Sequence, residues 1–369
     1  MDSKKRALIA AGGTGGHFYP GFALACELRA RGWQPLFLVR KDDPARPALE
    51  EADLPFAELD MVSLPRSLNP LRHAAFLARF LRSLALARRV LADFRPAAVI
   101  GTGSYVAFPA VLAASLAGVP VYIHESNAVF GLGNRLAGLF SRRVALGLPV
   151  KDNPFADRAA LAGTPVREAF RAPIARADAR RALGLENGRL TVLVFGGSQG
   201  ARRLNAAFVA AAKALRGDIQ AVHVAGRKNF EEVKAAYDAA GLSGEPGLKL
   251  FDYREDMPLL YAAADLVVCR SGASTVAELA QLRKPAVLVP LPSSAGDHQR
   301  HNALALSSRG AAVSLEEGPD FDAALAAAIR GFLGDPGRAA AMAAAFAGAG
   351  IPPALGAAAA LADLVEKGA

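Results

Sequence analysis

Three apolar runs that each end in a glycine-rich elbow constrain this chain more than any other feature. The first elbow, Gly12-Gly13-Thr14-Gly15-Gly16-His17, follows the run Ala7 to Ala11. The second, Gly196-Gly197-Ser198-Gln199-Gly200, follows Leu190 to Phe195, and the third, Arg270-Ser271-Gly272-Ala273-Ser274-Thr275, follows Asp265 to Cys269. A strand, a glycine turn and a helix in succession place backbone N–H groups at the helix start, where they can hold phosphate. One such elbow is weak, because glycine also serves turns for backbone reasons; three at corresponding points favour a phosphate-binding fold. The dinucleotide fingerprint is not met. Counting from Gly13-x-Gly15, Phe18 falls where a small residue should let helix and strand approach, and Arg40 and Lys41 end the second strand where an NAD site needs an acid.

The rest of the chain repeats the same alternation. Strands are predicted at Ala7–Ala11, Pro35–Val39, Ala97–Gly101, Pro120–His124 and Arg143–Leu146. A second set follows at Leu190–Phe195, Gln220–Ala225, Leu248–Phe251, Leu266–Cys269, Ala286–Val289 and Ala312–Ser314. Helical segments lie between them, among them Pro20–Ala30, Pro70–Asp93, Arg202–Leu215 and Ser274–Gln281. Continuous apolar strands alternating with helices indicate α/β architecture, with parallel sheets covered on both faces. The pattern restarts near residue 190, and Phe155 to Asn187, rich in proline and arginine, reads as the linker region. The expectation is two doubly wound, Rossmann-like domains facing across a cleft, over 1–164 and 165–349. The last helix, within 350–369, is free to pack back on the first domain.

At 369 residues, two domains suit the chain better than one. Its 52% hydrophobic content supports a large core. Cys26 and Cys269 lie far apart in apolar segments and read as reduced thiols of a cytosolic protein. The basic start, Met1 to Arg6, precedes a run too short for a signal peptide, and no uncharged apolar stretch is long enough to span a membrane. The net charge of +9 fits anionic lipid or a phosphorylated substrate. Aromatic residues, 7% of the chain, are not interleaved with basic ones as a nucleic-acid platform needs, so no nucleic-acid partner is expected. No His/Cys ligand spacing appears, and neither a metal nor another cofactor is expected.

Ligands of doubly wound sheets sit beyond the carboxyl ends of the strands, and the polar clusters fall there. His17 at a helix start is a candidate general base or a local hydrogen-bonding group. Glu125, in His124-Glu125-Ser126-Asn127, is the other candidate base, or a carboxylate that accepts neighbouring N–H bonds. Glu278, one turn inside the helix opened by Ala273-Ser274-Thr275, can accept two ribose hydroxyls or simply favour the helix start by its charge. Asp297-His298-Gln299 precede a helix, and Gln299 suits sugar hydroxyls, which need both donors and acceptors. The amphipathic helix Pro70 to Asp93 sets Phe76, Leu77, Phe80, Leu81, Leu84 and Leu91 on one face, and Arg72, Arg79, Arg82 and Arg89 on the other. It fits a core helix with a solvated basic face, or a helix on an anionic membrane surface.

Together, Gly12–His17, Gly101-Thr102-Gly103-Ser104-Tyr105, His124–Asn127, Gly163-Thr164-Pro165-Val166-Arg167, Gly196–Ala201, Cys269–Glu278 and Asp297–Asn302 resemble, in order, the MurG family. That family comprises the bacterial N-acetylglucosaminyltransferases that make lipid II, and the resemblance covers nearly the whole chain. It implies the GT-B fold, an acceptor-binding and membrane-associating N-terminal domain, and a C-terminal domain for the UDP-sugar. It implies inverting transfer from UDP-N-acetylglucosamine to the 4-hydroxyl of undecaprenyl-diphospho-N-acetylmuramoyl-pentapeptide. The chain would then sit peripherally on the cytoplasmic face of the cell membrane. By position, Thr14, Gly15, Gly16 and His17 would line the reacting sugars, and Asn127 would approach the sugar. Arg167 and Ser198 would bind donor phosphate oxygens. The stretch Ala273, Ser274, Thr275, Val276, Ala277 would present a helix start to the diphosphate, with Glu278 on the ribose and Gln299 on sugar hydroxyls. The uracil position falls on Arg254, where the family tends to be aliphatic. Ser104, Ser126 and Thr164 replace the commoner Gly, Gln and Asn. Other readings of the same residues are a GT-B enzyme with a soluble acceptor or epimerase activity, a non-catalytic nucleotide- or membrane-binding protein, and an NADP oxidoreductase.

Overall fold

In the computed structural model of the chain, residues 5–12, 15–61, 65, 69–103, 107–197 and 200–368 are described. They form two compact units, Met1–Arg167 with Ile351–Ala369, and Glu168–Gly350. The division falls after Arg167 rather than after Thr164.

The first unit runs β1 (Arg6–Ala10), α1 (Gly15–Ala30), β2 (Gln34–Arg40), α2 (Arg46–Glu51), β3 (Phe56–Leu59), α3 (Pro70–Phe94) and β4 (Ala98–Gly101). It continues with α4 (Ala107–Leu116), β5 (Val121–Glu125), α5 (Leu132–Gly138), β6 (Arg143–Leu146) and β7 (Ala159–Leu161). Its sheet is parallel, in the order β3-β2-β1-β4-β5-β6-β7. Alternation along β1 sends Ala7 and Ile9 to one face, and Leu8 and Ala10 to the other. Leu8 and Ile9 are fully buried, and each such side chain contributes about 1.5–3 kcal/mol.

The second unit runs α6 (Arg176–Leu183), β8 (Leu190–Phe195), α7 (Arg202–Ala214), β9 (Ile219–Val224), α8 (Phe230–Ala239), β10 (Leu248–Phe251) and α9 (Met257–Ala263). There follow β11 (Leu266–Cys269), α10 (Ala273–Leu282), β12 (Ala286–Leu288), α11 (His298–Ser307), β13 (Val313–Ser314), α12 (Phe321–Arg330) and α13 (Pro336–Ala345). Its parallel sheet has the order β10-β9-β8-β11-β12-β13. In both sheets the strand order reverses beside the first strand of the unit, β1 against β4 and β8 against β11. The crevice of a doubly wound sheet opens at such a reversal.

The chain returns to the first unit as α14 (Ala357–Glu366). Leu361, Ala362 and Val365 pack into the core that holds Leu24, Leu28 and Trp33. Arg31 Nη1 binds Asp363 at 2.6 Å and Glu366 at 2.8 Å, and the Trp33 indole N–H donates to Glu366 at 3.0 Å. The Arg31 guanidinium holds both carboxyls below their ordinary range.

Three elements differ from expectation. β3 is an edge strand with Glu58 inside it, and edge strands carry charge as a guard against pairing with other chains. β7 lies inside the expected linker; its Ala-Ala-Leu sequence has little intrinsic strand preference. α1 begins at Gly15, not at Pro20, and carries Pro20 inside it. Pro20 has no N–H to give the Gly16 carbonyl, so a start at the proline is the simpler reading of the sequence alone.

Candidate active site

In the first unit the polar residues gather at the carboxyl ends of β1, β4 and β5. Gly12 closes β1; a Cβ there would lie 2.7 Å from Asp43 Oδ2. Gly15, Gly16 and His17 form the first turn of α1, while Gly13, Thr14, Ser104 and Tyr105 lie outside the described residues. Two hydrogen bonds tie His17 to the end of β4. His17 Nδ1 lies 3.1 Å from the Thr102 carbonyl, and the Thr102 hydroxyl donates to the His17 carbonyl at 2.7 Å. A carbonyl can only accept, so Nδ1 carries the proton and Nε2 is the ring's basic nitrogen. Gly103, at φ +105°, lies against the imidazole; a Cβ there would come within 2.8 Å of Nδ1 and 3.1 Å of Asn134 Nδ2.

Glu125 is 1% exposed and accepts four hydrogen bonds. Its Oε1 takes the backbone and side-chain N–H groups of Asn127, both at 2.9 Å. Its Oε2 takes Gly131 N–H at 3.1 Å and Asn134 Nδ2 at 2.9 Å. A carboxylate so occupied is built to hold the loop after β5 and to orient Asn127; the geometry favours that role over the base considered from sequence. Beside it, His124 is fully buried, which pulls its ring below the ordinary histidine value. Its Nε2–H donates to the Gly163 carbonyl at 3.0 Å, and Nδ1 accepts from Ser126 at 3.3 Å. Gly147 leaves room for this packing, since a Cβ on it would lie 2.1 Å from Thr164 Oγ1. Arg167, half-buried, ends the first stretch of the unit.

In the second unit the clusters flank β8 and β11. Ser198 and Gln199 lie outside the described residues, but the elbow around them is closed tightly. A Cβ on Gly196 would sit 2.4 Å from Ala201 Cβ, and Gly197 and Gly200 have φ of +78° and +73°. After β11, Gly272 caps α10, whose first turn is Ala273, Ser274, Thr275 and Val276. Ala277 is buried behind that turn, and Ser274 Oγ is buried with no hydrogen-bond partner among the described residues. A helix start bearing N–H groups favours an anion there. Glu278 stands one turn in, its Oε2 accepting the Tyr261 hydroxyl at 2.9 Å. Burial, and then the Glu278 charge, push the Cys269 thiol up, so that cysteine is inert.

The third elbow is braced from behind. Ser271 Oγ donates to the Gln299 carbonyl at 2.7 Å, and Asn302 Nδ2 donates to the Ser271 carbonyl at 3.0 Å. Gln299 Oε1 takes the Leu291 N–H at 3.0 Å. Arg270, 7% exposed, reaches the Val289 and Pro290 carbonyls and pairs with Glu317 at 2.7 Å. Thus the start of α10 and Gln299 are brought together beyond the carboxyl ends of β11 and β12.

Arg254 is committed locally. Its Nε donates to Asp256 at 2.7 Å and its guanidinium stacks on Phe251 at 4.6 Å. The pairing raises Arg254 and holds Asp256 below the ordinary carboxylate range. The aromatic beside it, Tyr253, is 45% exposed just past β10, with the Arg227 guanidinium 4.3 Å from its ring. Tyr253 is not among the residues expected from sequence, although an aromatic residue immediately beyond a strand's carboxyl end is visible there.

Among the described residues no group of three or more His, Cys, Asp or Glu is placed to hold a metal ion. Asp320 and Asp322, the Asp-x-Asp pair of the chain, open α12, where Asp322 is paired with Arg203. Among the described residues no helix is long and apolar enough to cross a membrane.

These clusters coincide with the segments shared with known proteins. The glycosyltransferase family 28 N-terminal domain matches residues 7–146, and the C-terminal domain of that family matches residues 191–355. A Halorhodospira halophila protein is 41% identical over 375 residues, covering 99% of this chain and 100% of that relative. An Elusimicrobium minutum protein is 40% identical over 320 residues, 86% of this chain and 87% of the relative. Both are named UDP-N-acetylglucosamine–N-acetylmuramyl-(pentapeptide) pyrophosphoryl-undecaprenol N-acetylglucosamine transferase. The crystal structure of Acinetobacter baumannii MurG superposes with a TM-score of 0.78 at 29% identity, covering 98% of this chain and 99% of that one. Matched in both domains and along its length, with two doubly wound parallel sheets of the GT-B kind, the chain belongs to the MurG family of glycosyltransferases.

Proposed function

We propose that this chain transfers N-acetylglucosamine from UDP-N-acetylglucosamine to the 4-hydroxyl of undecaprenyl-diphospho-N-acetylmuramoyl-pentapeptide, the step that converts lipid I to lipid II. The observation that carries the reading is the full-length likeness to enzymes named for that transfer, 41% identity over 99% of the chain.

The acceptor is assigned to the first unit and the donor to the second. The acceptor's O4 attacks the anomeric carbon; the bond from that carbon to the UDP oxygen breaks, and the configuration inverts. The hydroxyl proton passes to His17 Nε2, the basic nitrogen fixed by the Nδ1–H bond to Thr102. Glu125 holds Asn127 ready beside the sugar. The charge that develops on UDP is met by the N–H groups at the start of α10, with Arg167 and Ser198 on phosphate oxygens. Glu278, steadied by Tyr261, takes the ribose hydroxyls, Gln299 the sugar, and Tyr253 offers the base a π-face.

The acceptor is anchored in a bilayer, and the first unit exposes both large apolar side chains and arginines on α3 and α5. On α3, Leu77 and Leu81 are 55% and 54% exposed, and Arg72, Arg79, Arg82 and Arg89 are exposed on the other face of the same helix. Leu132, Leu136, Leu139 and Phe140 are exposed along one side of α5 and its end, beside exposed Arg135, Arg142 and Arg143. A row of aromatic rings joins the two helices through α4: Phe80 to Phe108 at 5.8 Å, and Phe108 to Phe140 at 6.3 Å. Exposed apolar side chains on helices that also carry exposed arginines suit the interface of an anionic membrane, here its cytoplasmic face.

The donor assignment is tested by calorimetry. The expected result is that UDP and UDP-N-acetylglucosamine bind the wild-type chain and NADPH does not. Glu278→Ala weakens UDP binding about tenfold, the scale of a lost hydrogen bond to a charged group. Equal UDP affinity in the two proteins would contradict the ribose role.

A further inference from the structure

A chain of three buried polar side chains lies behind the second glycine elbow. His223, in β9, is fully buried; Asn205 of α7 is 1% exposed and Tyr237 of α8 is 4% exposed. Asn205 Nδ2 donates to the Ala225 carbonyl at 2.9 Å, so its Oδ1 faces His223 Nε2 at 3.2 Å. Nε2 must therefore carry the ring proton, and Nδ1 accepts the Tyr237 hydroxyl at 3.1 Å. Every link then has one direction, from Tyr237 through His223 and Asn205 to the backbone of Ala225. Burial lowers His223 to about 3, so the ring stays neutral and the direction does not reverse near neutral pH.

Ala225 and Gly226 form the wall against which the elbow rests. A Cβ on Gly226 would lie 3.2 Å from Gly200 Cα, and one on Gly200 would lie 2.1 Å from Asn229 Nδ2. The Gly200 N–H closes the elbow on the Gly197 carbonyl at 3.0 Å, and the Asn205 N–H reaches Ala201 at 2.8 Å. Asn205 thus grips the elbow from the helix side through Ala201 and from the strand side through Ala225. Aliphatic side chains of the same size would fill this space without needing partners. A fully satisfied buried network instead fixes one geometry.

We propose that Tyr237, His223 and Asn205 are positioning residues that set the second glycine elbow, and through it the diphosphate of the donor. This rests on the donor reading above. None of the three touches substrate in this role; each acts by holding the backbone that does.

The test compares His223→Leu, Asn205→Leu and His223→Gln for UDP affinity and for the KM of each substrate. The Gln amide can donate to Asn205 Oδ1 as Nε2–H does. Expected are a roughly tenfold weaker UDP affinity and a matching rise in donor KM for the two Leu variants, an acceptor KM within about twofold of wild type, and recovery in His223→Gln. If the Leu variants fail to fold, Tyr237→Phe carries the test, with an expected rise in donor KM of about threefold. Donor KM and UDP affinity unchanged in folded variants overturn the proposal. So does an equal change in both substrates that Gln fails to recover, since that is a packing effect. Absence of UDP binding to the wild-type chain is a separate result: it overturns the donor reading itself and this proposal with it.

Discussion

His17 and Glu125 are both ionisable and both lie at the strand ends of the first unit, yet their surroundings give them opposite tasks. The Thr102 carbonyl fixes the tautomer of His17 and directs basicity to Nε2. Four donors occupy Glu125. Replacing His17 with Ala is expected to lower kcat by about 10²–10⁴-fold while UDP affinity holds. Glu125→Gln turns an NH2 group toward donors and is expected to cost about 1–3 kcal/mol of stability, read by denaturant unfolding. If Glu125 were the base, that variant would instead be stable and inert. Lys284 gives a third residue-scale prediction, away from the site. Burial, then Arg176, lowers it to about 8, while its Nζ donates to the Ala264 carbonyl at 2.7 Å. Between about pH 8 and the ordinary lysine value of 10.5 the unfolded chain binds more protons than the folded one, so stability rises with pH across that window. Lys284→Met should remove this rise; identical pH slopes in unfolding experiments on the two proteins would contradict the assignment.

Among the elements, those buried on both faces were plain in the sequence. β1, β8 and β11 are largely apolar runs, and each leads into a glycine turn. β3 and β7 were not plain, because a short edge strand needs neither a long apolar run nor strong strand formers. The amphipathic pattern of α3 was legible, but it did not divide its apolar face. Phe76, Phe80 and Leu84 pack on the core, Leu91 is buried in it, and Leu77 and Leu81 stay exposed. The core reading therefore describes one part of the helix, and the exposed part is the one proposed above to meet the membrane. The exposed side of α5 escaped notice because four large apolar residues in nine look like core until their surroundings are known. A bracing role for Glu125 was one of two readings open from sequence; what sequence spacing does not show is that Asn127, Gly131 and Asn134 converge on it as donors. At this scale the account predicts that Leu77→Glu with Leu139→Glu weakens binding to anionic vesicles about tenfold or more, with donor affinity unchanged. Unaltered vesicle binding would dissociate this surface from the membrane.

For the whole molecule, two units of like topology hold different chemistry at like places. The elbow after β1 ends in a histidine; the elbows after β8 and β11 lead to helix starts, and the helix after β11 bears the carboxylate Glu278. Like topology places a glycine turn after the first strand of each unit, the second unit adds another after β11, and the side chains beside them explain why a phosphate is expected at only some. The most direct measurement is transfer of labelled N-acetylglucosamine from UDP-N-acetylglucosamine to the undecaprenyl-linked muramoyl-pentapeptide, with and without a chelator. The account predicts a β-linked lipid disaccharide, formed at the same rate in both conditions. Donor binding without that product would contradict the proposed reaction, and loss of activity on chelation would contradict the metal-independent stabilisation of UDP by α10 and Arg167.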